Sequence, residues 1–145
     1  MTQDQIHQEF VRQLGEGPAA DFFTAQVMLE TGGGRGSYGY NLGNMKPSDK
    51  HQGKYQILKT WELVDGKRQN MREPFYAYDS LDEGVQAYLE YQDRKGHLDA
   101  ADTGDLNAFN RSLKSKGYYT AEESKYLKHL ENRLAGIRGK KTAEE

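Results

Sequence analysis

The segment PAADFFTAQVMLE, residues 18–30, constrains this chain more than any other stretch. Phe22, Phe23, Ala25, Val27, Met28 and Leu29 make a helix there apolar nearly all round, so it must lie in the core with other elements packed about it. Pro18 suits its first turn, where a missing N–H costs nothing. Gly32, Gly33 and Gly34 end it abruptly and leave Glu30 in its last turn. A chain of 145 residues can close one core around such a helix, burying about two thirds of the surface its unfolded form exposes.

The remaining elements follow from spacing. Ile6, Phe10, Val11 and Leu14 recur at helical intervals until Gly15 and Gly17 stop the pattern, which predicts a short first helix. Residues 31–54 carry seven glycines together with Asn41, Asn44 and Pro47 and are expected to be loop. Tyr55, Ile57, Trp61 and Leu63 alternate with more polar positions, and Asp65-Gly66 is a strong two-residue turn signal. That turn would pair Val64 with Lys67 and Glu62 with Gln69 in an antiparallel hairpin over 55–73. Ser80 to Glu83 reads as a capping box before Leu81, Val85, Tyr88 and Leu89. Asp105 caps a helix with Leu106, Phe109 and Leu113 inward and Gly117 at its end. Thr120 to Glu123 reads as a second capping box, before Tyr126, Leu127, Leu130, Leu134 and Ile137. The expected fold is mainly α, with about five helices and one small antiparallel β-hairpin lobe. It forms a single domain over 1–139, followed by a disordered polar tail over 140–145.

Composition removes several chemistries. Without cysteine there is no disulfide framework, thiolate metal site or cysteine nucleophile. His7, His51, His97 and His129 are scattered without ligand spacing and are read as surface residues, so no metal site is expected. The run GGGRG follows a helix instead of joining a strand to one, which fails the context of a nucleotide phosphate loop. No cofactor is expected. No apolar run approaches the roughly 20 residues of a membrane span, and the opening MTQDQIHQEF does not read as an export signal, so work outside a cell would need delivery by another agent such as a phage virion or a holin. The net charge is −2, yet residues 31–72 hold eight lysines and arginines against three acids. Such a basic stretch attracts anionic polymers such as wall glycan or nucleic acid, or is simply a set of solvated loop lysines. It contains no nucleic-acid reader motif, so no nucleic-acid partner is expected.

Glu30 is the residue best placed for chemistry. It shares a helix face with Phe23 and Val27 and sits at the negative end of the helix dipole. Apolar neighbours and the dipole both favour the protonated carboxyl, the form that donates a proton to a glycosidic oxygen. The glycines after it let a polymer approach closely. Ten tyrosines and one tryptophan suit sugar binding, because aromatic faces stack on pyranose rings. Tyr38, Tyr40 and Trp61 are the candidates, whereas Tyr88, Tyr91 and Tyr126 lie at core-facing helical positions.

The run AQVMLETGGGRGSYGYNLGNMK resembles the signature of the glucosaminidase domains, glycoside hydrolase family 73, in which a helix ends in Glu-Ser-Gly-Trp-Gly and Asn-Asn-Leu-Phe-Gly-Ile-Lys follows. Thr60 to Lys67 looks like that family's Thr-x-Glu-x-x-Asn-Gly-Lys hairpin. Phe75 to Glu83 looks like Phe-Arg-x-Tyr-x-Ser-x-x-Glu. Gly117-Tyr118-Tyr119-Thr120, followed by Tyr126, is similar to Gly-Tyr-Ala-Thr-Asp and its tyrosine. The likeness covers about residues 20–134, with four motifs in order. It departs where Gly33 replaces the tryptophan and Gly43-Asn44 replaces Phe-Gly, which thins the aromatic lining of the groove.

The resemblance implies a lysozyme-like α+β fold with the hairpin lobe beside the active-site groove. It implies Glu30 as general acid, Glu62 as the second carboxylate and Tyr118 as the active-site tyrosine, with Asn41 and Lys46 among the substrate-binding residues. The implied activity is an endo-β-N-acetylglucosaminidase acting on peptidoglycan at the bacterial cell wall, as a monomeric autolysin, phage endolysin or virion enzyme. A muramidase or lytic transglycosylase on the same fold is the rival, and a non-catalytic wall-binding or virion domain is the reading from another class.

Overall fold

The computed structural model describes residues 1–46 and 54–144, with side chains of the last helix as far as residue 139. Pro47, Lys50, His51 and Gly53, part of the expected loop and basic stretch, lie outside the described residues. The elements are α1 (Gln3–Leu14), α2 (Pro18–Glu30), β1 (Tyr55–Val64), β2 (Lys67–Tyr76), α3 (Leu81–Arg94), α4 (His97–Asp102), α5 (Leu106–Ser115) and α6 (Glu123–Glu144), with a single 3-10 turn at Tyr38–Tyr40.

Helix α2 is the centre of the molecule. Every residue from Ala19 to Met28 is buried, and α1, α4 and α6 pack around it. Its aromatic face meets its neighbours through Phe23, which lies edge-on to both Tyr88 and Phe109. Tyr88 is fully buried, and its hydroxyl donates to Gln26 Oε1 on α2, so this core tyrosine carries its polar atom to a partner. Asp21, also buried, accepts from His7 Nε2 at 2.8 Å and faces Arg138 Nε at 3.5 Å, tying α1 and α6 to the central helix.

The glycine run ends α2 as the sequence suggests. Gly32 takes φ +61, the Gly33 N–H returns to the Met28 carbonyl at 2.9 Å, and the buried Thr31 hydroxyl donates to Val27 O at 2.6 Å. Glu30 is thereby held in the last turn. The hairpin has the expected register, Val64 opposite Lys67 and Glu62 opposite Gln69, and extends three residues further than expected, to Tyr76. Asp65 at φ +52 and Gly66 at φ +78 form the turn.

Several expectations need correcting. A sixth helix, α4, is present between α3 and α5; it has only six residues and no apolar repeat long enough to read. Ser80 precedes α3 but its hydroxyl bonds Asp82, and Glu83 accepts from the Asp79 N–H at 3.0 Å, so the expected capping box is not formed. Helix α6 starts at Glu123, which leaves Thr120 outside its cap, and continues to Glu144 across most of the segment expected to be a disordered tail. His97 is buried and not a surface residue, and His7 is mostly covered by its contact with Asp21. No helix among the described residues is long and apolar enough to cross a membrane.

Candidate active site

The end of α2 and the start of α6 meet at Glu30. The carboxyl is exposed, and the Tyr126 hydroxyl donates to its Oε1. The apolar surroundings expected for Glu30 are therefore replaced by phenols. Tyr126 is buried and stacks flat on Tyr119, with centroids 3.7 Å apart, and Tyr119 in turn donates to Asn110 Oδ1 at 2.7 Å. Burial, then the hydrogen bond and charge of Glu30, hold the Tyr126 phenol far above its usual range. Tyr118 is shifted the same way, first by burial and then by the charge of Glu30. Both phenols stay protonated at any pH of interest. Tyr126 donates its hydrogen bond to the acid, Tyr118 is hydrogen-bonded to Gln92 and Tyr88, and neither acts as a base.

Tyr118 is supported from behind. His97 packs edge-on against its ring at 6.3 Å and meets Ser112 Oγ through Nδ1 at 2.7 Å. Burial and the nearby charges of Lys116 and Lys95 push the His97 pKa down to about 4, so it is a neutral spacer.

In front of Tyr118 lies a cavity of about 450 Å³, lined also by Asn44, Lys46, Tyr76, Tyr91 and Gln92. A second, of about 650 Å³, lies between the 31–46 loop and the base of the hairpin, where Tyr38, Asn44, Leu58, Thr60 and Phe75 line it. The two share Asn44. Together they form a groove running from the acid's tyrosine to the hairpin.

Strand alternation gives the hairpin two faces, although Ile57 and Lys59 of the outer one also reach the edge of the second cavity. Gln56, Leu58 and Thr60 are half-buried, and their cross-strand partners Phe75, Glu73 and Met71 are covered too. Glu62 and Gln69 continue this inner face beyond the covered part. Glu62 itself is exposed. Trp61 belongs to the outer face with Tyr55, Ile57, Lys59 and Leu63, is 56 % exposed, and has the Arg68 guanidinium 5.0 Å from its ring. It therefore points away from the face that carries Glu62 and lines another cavity, of about 470 Å³, with Lys59, Arg68 and Arg72. Lys59, Arg68 and Arg72 also lie outward, while Glu62 and Glu73 lie inward.

The other candidates divide. Tyr38 is exposed on the groove wall and is free to stack on a sugar. Tyr40 is partly exposed, and its carbonyl approaches Gly84 so closely that a Cβ there would sit 2.1 Å away, which fixes the loop against α3. Asn41 is corrected from substrate binding to a structural role. It is 2 % exposed, donates to Met45 O at 2.9 Å and Tyr76 O at 3.0 Å, and accepts from Met45 N at 2.9 Å. Lys46 lines the cavity while paired with Glu73 at 2.7 Å, which joins loop and hairpin. Sequence reasoning missed Tyr126 as a partner of Glu30, and missed Gln92 and Tyr91 as lining. Helical spacing gave the two tyrosines to the core, and no feature of the sequence singled out Gln92.

Comparison with known proteins gives the family and the fold. The glucosaminidase family, described as mannosyl-glycoprotein endo-beta-N-acetylglucosaminidase, matches residues 10–138. Among solved structures, a peptidoglycan hydrolase mutant from Sphingomonas sp. A1 is 31 % identical, with a TM-score of 0.62 over 90 % of this chain and 86 % of that one. The peptidoglycan hydrolase from the same organism is 28 % identical, with a TM-score of 0.67 over 97 % and 90 %. The catalytic domain of the autolysin Auto from Listeria monocytogenes shares the fold, with a TM-score of 0.70 at 20 % identity over 94 % and 82 %. No curated protein matches by sequence. With the family matched over nearly the whole chain and the lysozyme-like fold in place, the chain belongs to the glucosaminidase family of glycoside hydrolases.

Proposed function

We propose that this enzyme cuts the glycan strands of bacterial peptidoglycan after N-acetylglucosamine, with Glu30 as general acid. The observation that carries the reading is the continuous groove from Tyr118, beside Glu30, to the inner face of the hairpin. An extended sugar chain laid in it passes the acid and the inner face of the hairpin that carries Glu62. Glu30 protonates the glycosidic oxygen as the bond to the anomeric carbon breaks, and the leaving sugar departs as the alcohol. Glu62 accepts a proton from the water that attacks the anomeric carbon from the opposite face, so the product is inverted. Tyr118 and Tyr126, held protonated, orient the Glu30 carboxyl and the substrate's polar groups. Tyr38, Tyr40 and Lys46 hold the sugars.

A second mechanism is favoured by one observation, the position of Glu62 on the uncovered part of a two-stranded ribbon. If Glu62 does not reach the anomeric carbon, the substrate's own acetamido group attacks in its place and the configuration is retained. The setting proposed is the cell wall, with the enzyme acting as a monomeric autolysin or phage endolysin. Digestion of purified sacculi followed by mass spectrometry tests the linkage. N-acetylglucosamine at the new reducing ends is the expected result. N-acetylmuramic acid there would mark a muramidase, and anhydro ends a lytic transglycosylase.

A further inference from the structure

Most of the hairpin's outer face lies outside the groove. Five large apolar or aromatic side chains of β1 are exposed, and four of them, Tyr55, Ile57, Trp61 and Leu63, share that face, with Ile57 55 % and Leu63 67 % exposed. Apolar residues exposed singly are ordinary, whereas four along one strand face form a patch. Basic side chains edge it. Lys59, Arg68 and Arg72 lie on the same face, and the strands' carboxylates, Glu62 and Glu73, lie on the other. None of the three cations has a carboxylate in ion-pair range among the described residues. With Asn70 they line the cavity of about 470 Å³ beside Trp61, and the Arg68 guanidinium is 5.0 Å from the Trp61 ring. The chain as a whole carries a net charge of −2, so attraction of an anion to this face is local to these residues.

The chemistry of the face selects its occupant. A second copy of this chain seated on it face to face would bring the same three cations together, uncompensated. A soluble polyanion would take the cations and leave Ile57 and Leu63 in water. An anionic bilayer satisfies both, because headgroup phosphates meet the cations while apolar side chains enter the boundary beneath, and tryptophan is favoured between the two. We propose that the outer face of the hairpin is a docking surface for an anionic phospholipid bilayer, with Lys59, Arg68 and Arg72 on the phosphates and Trp61 and Leu63 in the interface. Such docking is peripheral and needs no membrane-spanning element. The face that carries Glu62 stays turned away from the lipid, and the inference does not depend on which reaction the enzyme catalyses.

Trp61 is the chain's single tryptophan, so its fluorescence reports on this face alone. The protein is titrated with vesicles of phosphatidylglycerol and phosphatidylcholine in equal parts, against vesicles of phosphatidylcholine only, and bound protein is measured by sedimentation. Binding to the anionic but not the neutral vesicles is expected, with blue-shifted Trp61 emission that brominated acyl chains quench. Arg68→Gln and Arg72→Gln should each weaken binding about fivefold, the effect of one cation at an anionic surface. Leu63→Ser should weaken it at least ~10-fold, the effect of one buried leucine side chain. All three side chains are exposed, so thermal unfolding should be unchanged. The proposal is overturned by a failure to sediment with the anionic vesicles, by binding that leaves Trp61 emission unshifted and unquenched, or by binding that all three variants retain in full. Glycerol phosphate polymer in solution is the last probe, and tighter binding to it than to the vesicles would make the face a polyanion site instead of a lipid one.

Discussion

Tyr126 shows how one residue serves both core and site. Its ring fills the space between α2 and α6 against Tyr119, and its hydroxyl holds one oxygen of Glu30. Tyr126→Phe keeps the first role and removes the second. Because Glu30 is exposed, water replaces the lost donor and thermal stability should change by less than about 1 kcal/mol. The carboxyl loses its fixed orientation, so kcat should fall about tenfold with KM little changed, which steady-state kinetics on wall fragments would read. Unchanged kcat would make Tyr126 purely structural. The position of Glu30 at the end of α2 was legible in the sequence because an apolar helix and a glycine run bracket it. The partnership with Tyr126 was not, since residues 96 apart in sequence meet only through the packing of α2 on α6. Asn41 misled for a related reason: an asparagine in a glycine-rich loop bonds either a ligand or its own backbone, and here three bonds to the backbone of Met45 and Tyr76 consume it.

At the level of elements, the hairpin register was fixed by Asp65-Gly66, and the strands pair as that turn dictates. Which face turns inward was not legible, because it depends on which hairpin side chains the rest of the fold covers, here Phe75 and Met71, a tertiary fact. The answer places Glu62 inward and Trp61 outward. Glu62→Gln should therefore lower hydrolysis on the same scale as loss of the acid, with an inverted product seen by proton NMR immediately after cleavage. A retained product, with most activity surviving the substitution, would assign the attack to the substrate's acetamido group. Trp61→Ala, on the opposite face, should alter rates far less. The short α4 escaped detection because six residues give fewer than two helical turns of pattern, although its position behind Tyr118 sets the rear wall of the site.

Over the whole molecule, burial of His97 links stability to pH. The unfolded chain takes up a proton on this ring near its ordinary pKa of 6.5, whereas the folded protein does so only at about 4. Between those values the unfolded state binds more protons, so stability is complete above about pH 6.5 and declines as pH falls toward about 4, by at most roughly 3 kcal/mol. Denaturant unfolding at pH 7 and pH 5 should show this slope, and His97→Asn should flatten it; an equal slope in the variant would locate the titration elsewhere. The single-core architecture around α2 was readable from the sequence because one helix is apolar on every side and all other elements must cover it. That same helix delivers Glu30 to the groove, and the account stands or falls there. The most direct measurement is the rate of wall hydrolysis by Glu30→Gln, which preserves size and hydrogen bonding but cannot act as an acid. The account predicts a loss of at least ~10²-fold with unchanged thermal unfolding, and a folded variant hydrolysing walls at close to the normal rate would contradict it.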